Sequence, residues 1–92
     1  MISSFKCKDT QELYETGENK RFSSIARSAL RKLDMIAAAT MVETLRVPPG
    51  NRLEQLSGKR KGQWSIRIND QWRICFVWSG SNAENVEIVD YH

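Results

Sequence analysis

WSIRINDQWRICFVW, residues 64–78, decides the fold class of this chain. Trp64, Ile66 and Ile68, then Trp72, Ile74, Phe76 and Trp78, put a large apolar side chain at every second position. That is the period of a strand with one buried face. Asn69-Asp70-Gln71 interrupts the pattern with turn chemistry, so the two runs form an antiparallel hairpin. Ser79-Gly80-Ser81-Asn82 predicts a further turn, and Val86 to Val89 a last strand. One sheet face carries Trp64, Ile66, Ile68, Ile74 and Phe76. The opposite face carries Ser65, Arg67, Arg73 and Cys75.

Upstream, the period changes to that of helices. Ile25, Ala29, Leu33, Ile36, Ala37, Met41 and Leu45 recur at spacings of three and four, one apolar stripe to lay on the sheet. Ser23 or Ser24 is the expected cap of that helix, and Val47-Pro48-Pro49-Gly50 stops it. A shorter helix precedes it, opened by a capping box of Asp9 and Glu12 and closed by Gly17. Residues 2–7 read as a weak N-terminal strand. The order β-α-α-β-β-β predicts an α+β fold: two helices packed on one face of a small, mainly antiparallel sheet.

With 92 residues, 40% of them hydrophobic and 27% charged, the chain has room for one core and is expected to be a single domain over 1–92. The uncharged stretch from Met35 to Val42 is far too short to cross a bilayer, and the opening MISSFKCK lacks the form of a signal segment. The expectation is therefore a cytoplasmic protein with no membrane contact. Cys7 and Cys75 belong to no metal-binding spacing, and one histidine, His92, leaves a structural zinc site short of ligands. Neither a metal nor another cofactor is expected.

Charge is informative by position. Arg46, Arg52, Lys59, Arg60, Lys61, Arg67 and Arg73 face only Glu54 and Asp70 across residues 46–73, a local balance of +5. Residues 74–92 contain no Lys or Arg and carry −3. A solvated loop accounts for Lys59, Arg60 and Lys61. Arginines inside strands are harder to place: either Arg67 and Arg73 cover an open sheet face with their stems, or the face binds phosphate.

PPGNRLEQLSGKRKGQWSIRINDQWRICFVW (48–78), with the terminal EIVDYH (87–92), closely resembles the HigB-type toxins, the plasmid-maintenance-killer branch of the RelE/ParE toxin superfamily. NRLE-x-L-x-G, SIRIN-x-QWRI-x-F and the final Asp-Tyr-His carry the resemblance most specifically. It covers essentially the whole chain. It implies a ribosome-dependent endoribonuclease that cuts mRNA and arrests growth. It also implies a HigA-type helix-turn-helix antitoxin as partner, with operator DNA reached only through that antitoxin.

Metal-free RNA cleavage uses the substrate's 2′-hydroxyl as nucleophile. It needs a general base, cations for the phosphorane and an acid for the departing 5′-oxygen. Arg73 matches the family's active-site arginine, and Asp90, Tyr91 and His92 match its catalytic tail. His92 carries the only side chain here whose unperturbed pKa lies near neutrality, which suits it to serve as acid, base or phosphate-orienting group. Tyr91 offers a stacking ring or a hydroxyl, and Asp90 a proton acceptor or a partner for Arg73. Lys59, Arg60, Lys61 and Arg67 are the expected RNA contacts. Some relatives carry His at the position of Glu54 and Lys at that of Ser57. Glu54 is therefore either a substitute base or an ordinary surface carboxylate. Two other functions share this fold and this charge: a gyrase-directed toxin, and an RNA-binding module whose chemistry has weakened.

Overall fold

A computed structural model describes residues 1–91. Two helices, α1 (Lys8–Thr16) and α2 (Ala26–Ala38), pack on a sheet of four strands: β1 (Glu54–Gln55), β2 (Trp64–Arg67), β3 (Trp72–Ser79) and β4 (Asn82–Asp90). The strands lie in sequence order and every neighbour is antiparallel. The hairpin has the register its alternation requires: Trp64 opposite Phe76, Ile66 opposite Ile74, Ser65 opposite Cys75 and Arg67 opposite Arg73. Across β4, Ile74 meets Ile88 and Cys75 meets Glu87.

Ile66, Ile74, Phe76, Val86 and Ile88 thus share one face and close, almost without exposure, on Leu13, Phe22, Ala29, Leu33 and Ile36 from the helical layer. Each such side chain contributes roughly 1.5–3 kcal/mol by leaving water. Trp72 sets its ring edge-on to Phe22 at 5.6 Å, anchoring the end of β3 that approaches the turn at 69–71.

The helix ends depart from expectation. Gly17 closes α1 as predicted, at φ 83° with its N–H on the Leu13 carbonyl at 2.8 Å. The capping box does not form, because α1 begins at Lys8 with Cys7 as an uncapped N-cap. Asp9 and Glu12 instead accept the two N–H bonds of the Asn19 amide, at 3.1 and 2.9 Å, and so tie α1 to the turn that follows it. Ser23 and Ser24 do not cap α2 either; Ser23–Ile25 form a 3₁₀ turn and Ile25 precedes the helix.

The second helix is also shorter than its stripe implies. It stops at Ala38, and residues Val42–Arg46 form a separate 3₁₀ turn. A continued helix would carry Leu45 roughly 10 Å away from Ala38 along its axis; the turn brings it back into the core, where it is 2% exposed. Met41, read as part of the stripe, is exposed.

The N-terminal strand reduces to two parallel bridges to β4, Ile2 with Ala83 and Phe5 with Val86. Asn85 lies between them in the left-handed region at φ 51°, and its N–H is taken by Ser4 Oγ at 2.9 Å, which breaks the ladder. The segment still covers the outer edge of β4.

Candidate active site: a buried arginine in a basic cleft

The sheet face away from the helices was expected to be open, with Arg73 displayed on it. It is covered. Ser65 and Cys75 are fully buried and Arg73 is 8% exposed, because the segment after Arg52 folds across them. Arg73 Nε donates to Ser65 Oγ at 2.9 Å, and Nη2 donates to the Arg52 carbonyl at 2.8 Å, with the Ser65 carbonyl at 3.5 Å. Glu54 Oε1 lies 3.6 Å from the same Nη2, and the Tyr91 ring stands 5.7 Å from the guanidinium carbon. A planar fork held on two sides has one orientation, and the guanidinium lines a cleft of about 250 Å³ with Arg52, Arg67, Asn69, Asp70 and Tyr91.

Tyr91 is the wall between that cleft and a second one, about 370 Å³, lined by Glu54, Gln55, Leu56, Ser57, Lys59 and Arg60. Its N–H donates to the Gln71 carbonyl at 2.6 Å, which ties this end of β4 to the hairpin turn while the residue stays 42% exposed. Asp90 stands across from Trp72, and its carboxylate accepts from Gln71 Nε2 at 3.1 Å. The carboxylate placed at Arg73 is that of Glu54 rather than the one expected from Asp90. His92 lies outside the described residues.

The basic residues separate into two kinds. Arg67 pairs with the fully exposed Asp70 at the cleft mouth. Lys59 and Lys61 are exposed, and Lys59 lines the second cleft. Arg60 is turned inward: Nη1 donates to Gln63 Oε1 at 3.1 Å and to Glu87 Oε1 at 2.8 Å. The Glu87 bond holds the Arg60 pKa above its ordinary value. It pins the basic turn onto the sheet, so Arg60 is a strut and not one of three equivalent free cations. Burial pushes the Cys75 thiol up, which keeps it protonated and inert beneath this turn.

Arg52 was counted in the basic segment but not singled out. Its contribution to Arg73 is a backbone carbonyl, which leaves no signature in side-chain identity. Glu54, expected as a base or a surface group, sits within the constellation while remaining exposed. A larger hollow, about 680 Å³, lies elsewhere, between the end of α1 and the start of α2, with Glu12 and Glu18 on its rim. Among the described residues no cluster of three or more His, Cys, Asp or Glu comes together for a metal, and no helix is long and apolar enough to cross a membrane.

The sequence and the fold have counterparts. A family model described as a RelE-like toxin of the type II toxin–antitoxin system HigB matches residues 3–92. The chain belongs to this family. It is 42% identical to Toxin HigB-1 of Vibrio cholerae serotype O1, over 92% of each chain, and 33% identical to Endoribonuclease HigB of Proteus vulgaris, with full coverage of both. The fold of this HigB-like toxin is also that of the YoeB–YefM complex from Staphylococcus aureus, at TM-score 0.58 and 16% identity, covering all of this chain and 98% of that one. YafQ from E. coli BL21(DE3) aligns at TM-score 0.58 and 11% identity, over 98% and 93% of the two chains. At such identities the helix-on-sheet scaffold is what is held in common.

Proposed function

We propose that this HigB-like toxin is a metal-independent endoribonuclease that cuts mRNA on the ribosome in the cytoplasm and so stops translation. The observation that carries this is the buried, doubly anchored Arg73 lining a basic cleft, with the ring of Tyr91, which borders a second cleft, beside it. A donor fixed before substrate arrives needs no reorganisation when charge builds on the phosphorane, which is where electrostatic stabilisation is largest.

Arg73 receives the non-bridging phosphate oxygens. Tyr91, with a face open between the clefts, stacks on a base or donates its hydroxyl. His92 protonates the leaving 5′-oxygen. Glu54, in the position where some relatives carry histidine, takes the 2′ proton as the complementary base, and Asp90 orients the tail through Gln71. Arg67, Lys59 and Lys61 contact flanking phosphates, and Arg60 acts by holding their turn in place.

The antitoxin partner is a HigA-type helix-turn-helix protein, with DNA contacted only through it. The Staphylococcus aureus neighbour was solved in a toxin–antitoxin complex with YefM, which supports an antitoxin as partner.

The test is to map mRNA 5′ ends after adding purified toxin to translating ribosomes. Wild-type protein should produce new ends. Arg73→Ala should produce none above background, a loss on the order of 10²–10³ in rate. Deleting His92 should also slow cleavage strongly, since the chain has no other imidazole. No new ends with wild-type protein would leave only binding, and inhibition of gyrase supercoiling in its place would assign the toxin to another target.

A further inference from the structure

Lys32, on the flank of α2, is 8% exposed, and its ammonium donates to Asn51 Oδ1 at 2.5 Å. Among the described residues no carboxylate lies within ion-pair distance of it. Its neighbours in charge are cations: burial first, then Arg31 and Arg67, lower its pKa. A buried cation answered only by an amide oxygen is costly, whereas methionine fills a similar volume without the charge. The ammonium therefore calls for a role other than filling space.

Asn51 is fully buried, and its Nδ2 donates to the Leu45 carbonyl at 3.1 Å and reaches the Val47 carbonyl at 3.5 Å. With both donors aimed at the turn, Oδ1 points to Lys32. The next residue, Arg52, adopts the left-handed conformation at φ 46°, ψ 56°, unfavourable for a side chain with a Cβ. That conformation turns its carbonyl toward Arg73 Nη2 at 2.8 Å. Four residues thus connect α2 to the cleft: Lys32 to Asn51, Asn51 through the backbone to Arg52, and Arg52 to Arg73.

We propose that Lys32 is a positioning residue for RNA cleavage: its ammonium fixes Asn51, and Asn51 fixes the left-handed Arg52 carbonyl that aims the Arg73 guanidinium into the cleft. This rests on Arg73 being the phosphate-binding cation. If Lys32 did no more than tie the 45–51 turn to α2, changing it would alter stability and leave Arg73 as it was.

The deciding variant is Lys32→Met, examined by thermal unfolding, by the ¹⁵Nε–¹Hε resonance of Arg73 (assigned through its loss in Arg73→Lys), and by cleavage on programmed ribosomes. The variant should remain folded at the assay temperature. Its Arg73 resonance should shift or broaden. Its maximal rate should fall at least about tenfold, as expected for a misaligned catalytic group, with the half-saturating ribosome concentration within about twofold of wild type. An unmoved Arg73 resonance in folded Lys32→Met, or an unchanged rate, overturns the proposal.

Should Lys32→Met fail to fold, Lys32→Arg and Lys32→Gln carry the comparison. Arginine keeps a cationic donor and should retain both resonance and rate, while the shorter, uncharged glutamine should lose both. Equal behaviour of the two overturns the proposal. If wild-type toxin cuts no RNA, the proposed function fails, and the Arg73 resonance in the free protein still decides whether Lys32 controls that side chain.

Discussion

Arg73 belongs to the fold as well as to the proposed site. Its guanidinium satisfies the Arg52 carbonyl and Ser65 Oγ in a buried setting, so Arg73→Ala should cost about 1–3 kcal/mol of stability besides abolishing cleavage. Denaturant titration will show that loss, and activity should be compared at a temperature where the variant remains folded. A cost near zero would mean that water replaces the guanidinium easily and that the site is looser than its hydrogen bonds imply. Lys32 offers a second residue-scale test through pH. Its native pKa is lowered from 10.5, so between that lowered value and 10.5 the unfolded chain binds more protons than the native one. Stability attributable to this group therefore rises with pH across the window and is lowest, and constant, below it. The stability of Lys32→Met relative to wild type should accordingly fall as pH is raised toward 10.5, because only the wild type gains stability across that window. A gap that stays constant over that range would contradict the burial-driven shift. Arg73 and Tyr91 were visible in the sequence because strand alternation and motif resemblance both mark side chains. Lys32, Asn51 and the Arg52 carbonyl were not, since a buried lysine looks like any helix-surface lysine until its partner, 19 residues on, is known.

At the scale of elements, β3 is the member on which both faces depend: Ile74 and Phe76 close the core while Arg73 and Cys75 build the covered face. Ile74→Ala should therefore cost about 2–5 kcal/mol, read as a lower denaturation midpoint without a change in slope. A loss below about 1 kcal/mol would mean that the strand faces are assigned wrongly. Gly17→Ala is a milder probe: at φ 83° a Cβ is strained, and the closure of α1 should weaken by roughly 1 kcal/mol. The hairpin was legible because Trp64 to Trp78 alternates over enough residues to exclude a helix. Strand β1 was not legible; Glu54 and Gln55 are two polar residues whose strand character comes only from pairing with Ser65 and Trp64. The apolar spacing from Ile25 to Leu45 fitted one helix equally well whether or not the chain turned back after Ala38. Tertiary closure over Leu45 made that decision, and no local propensity records it. The same holds for the N-terminal caps, where Asp9 and Glu12 had the correct spacing for a box but found a better donor in Asn19.

Over the whole molecule, charge is segregated: residues 46–73 carry +5 and residues 74–92 carry −3. The fold does not keep these apart, because Glu87 of β4 draws Arg60 inward and also lies 3.8 Å from Lys6. One acidic side chain thereby anchors the basic turn, and the outward positive field near the second cleft is left to Lys59 and Lys61. Substituting the three adjacent cations should then give two different outcomes. Reversing Lys59 and Lys61 together should leave the unfolding midpoint nearly unchanged while weakening ribosome association. Each lost phosphate contact removes released counterions, so the slope of log K against log salt should fall in magnitude by roughly 1–2. Arg60→Gln should do the reverse. It leaves Glu87, only 14% exposed, without its close partner, lowers stability by roughly 1–2 kcal/mol, and changes the salt slope less than the lysine reversals. Sedimentation with ribosomes across a salt series, alongside denaturant titration of the same proteins, measures both quantities. If Arg60→Gln reduced the slope as much as losing both lysines while its stability held, Arg60 would be a free phosphate contact and the Glu87 pair would not be what holds the turn over the sheet.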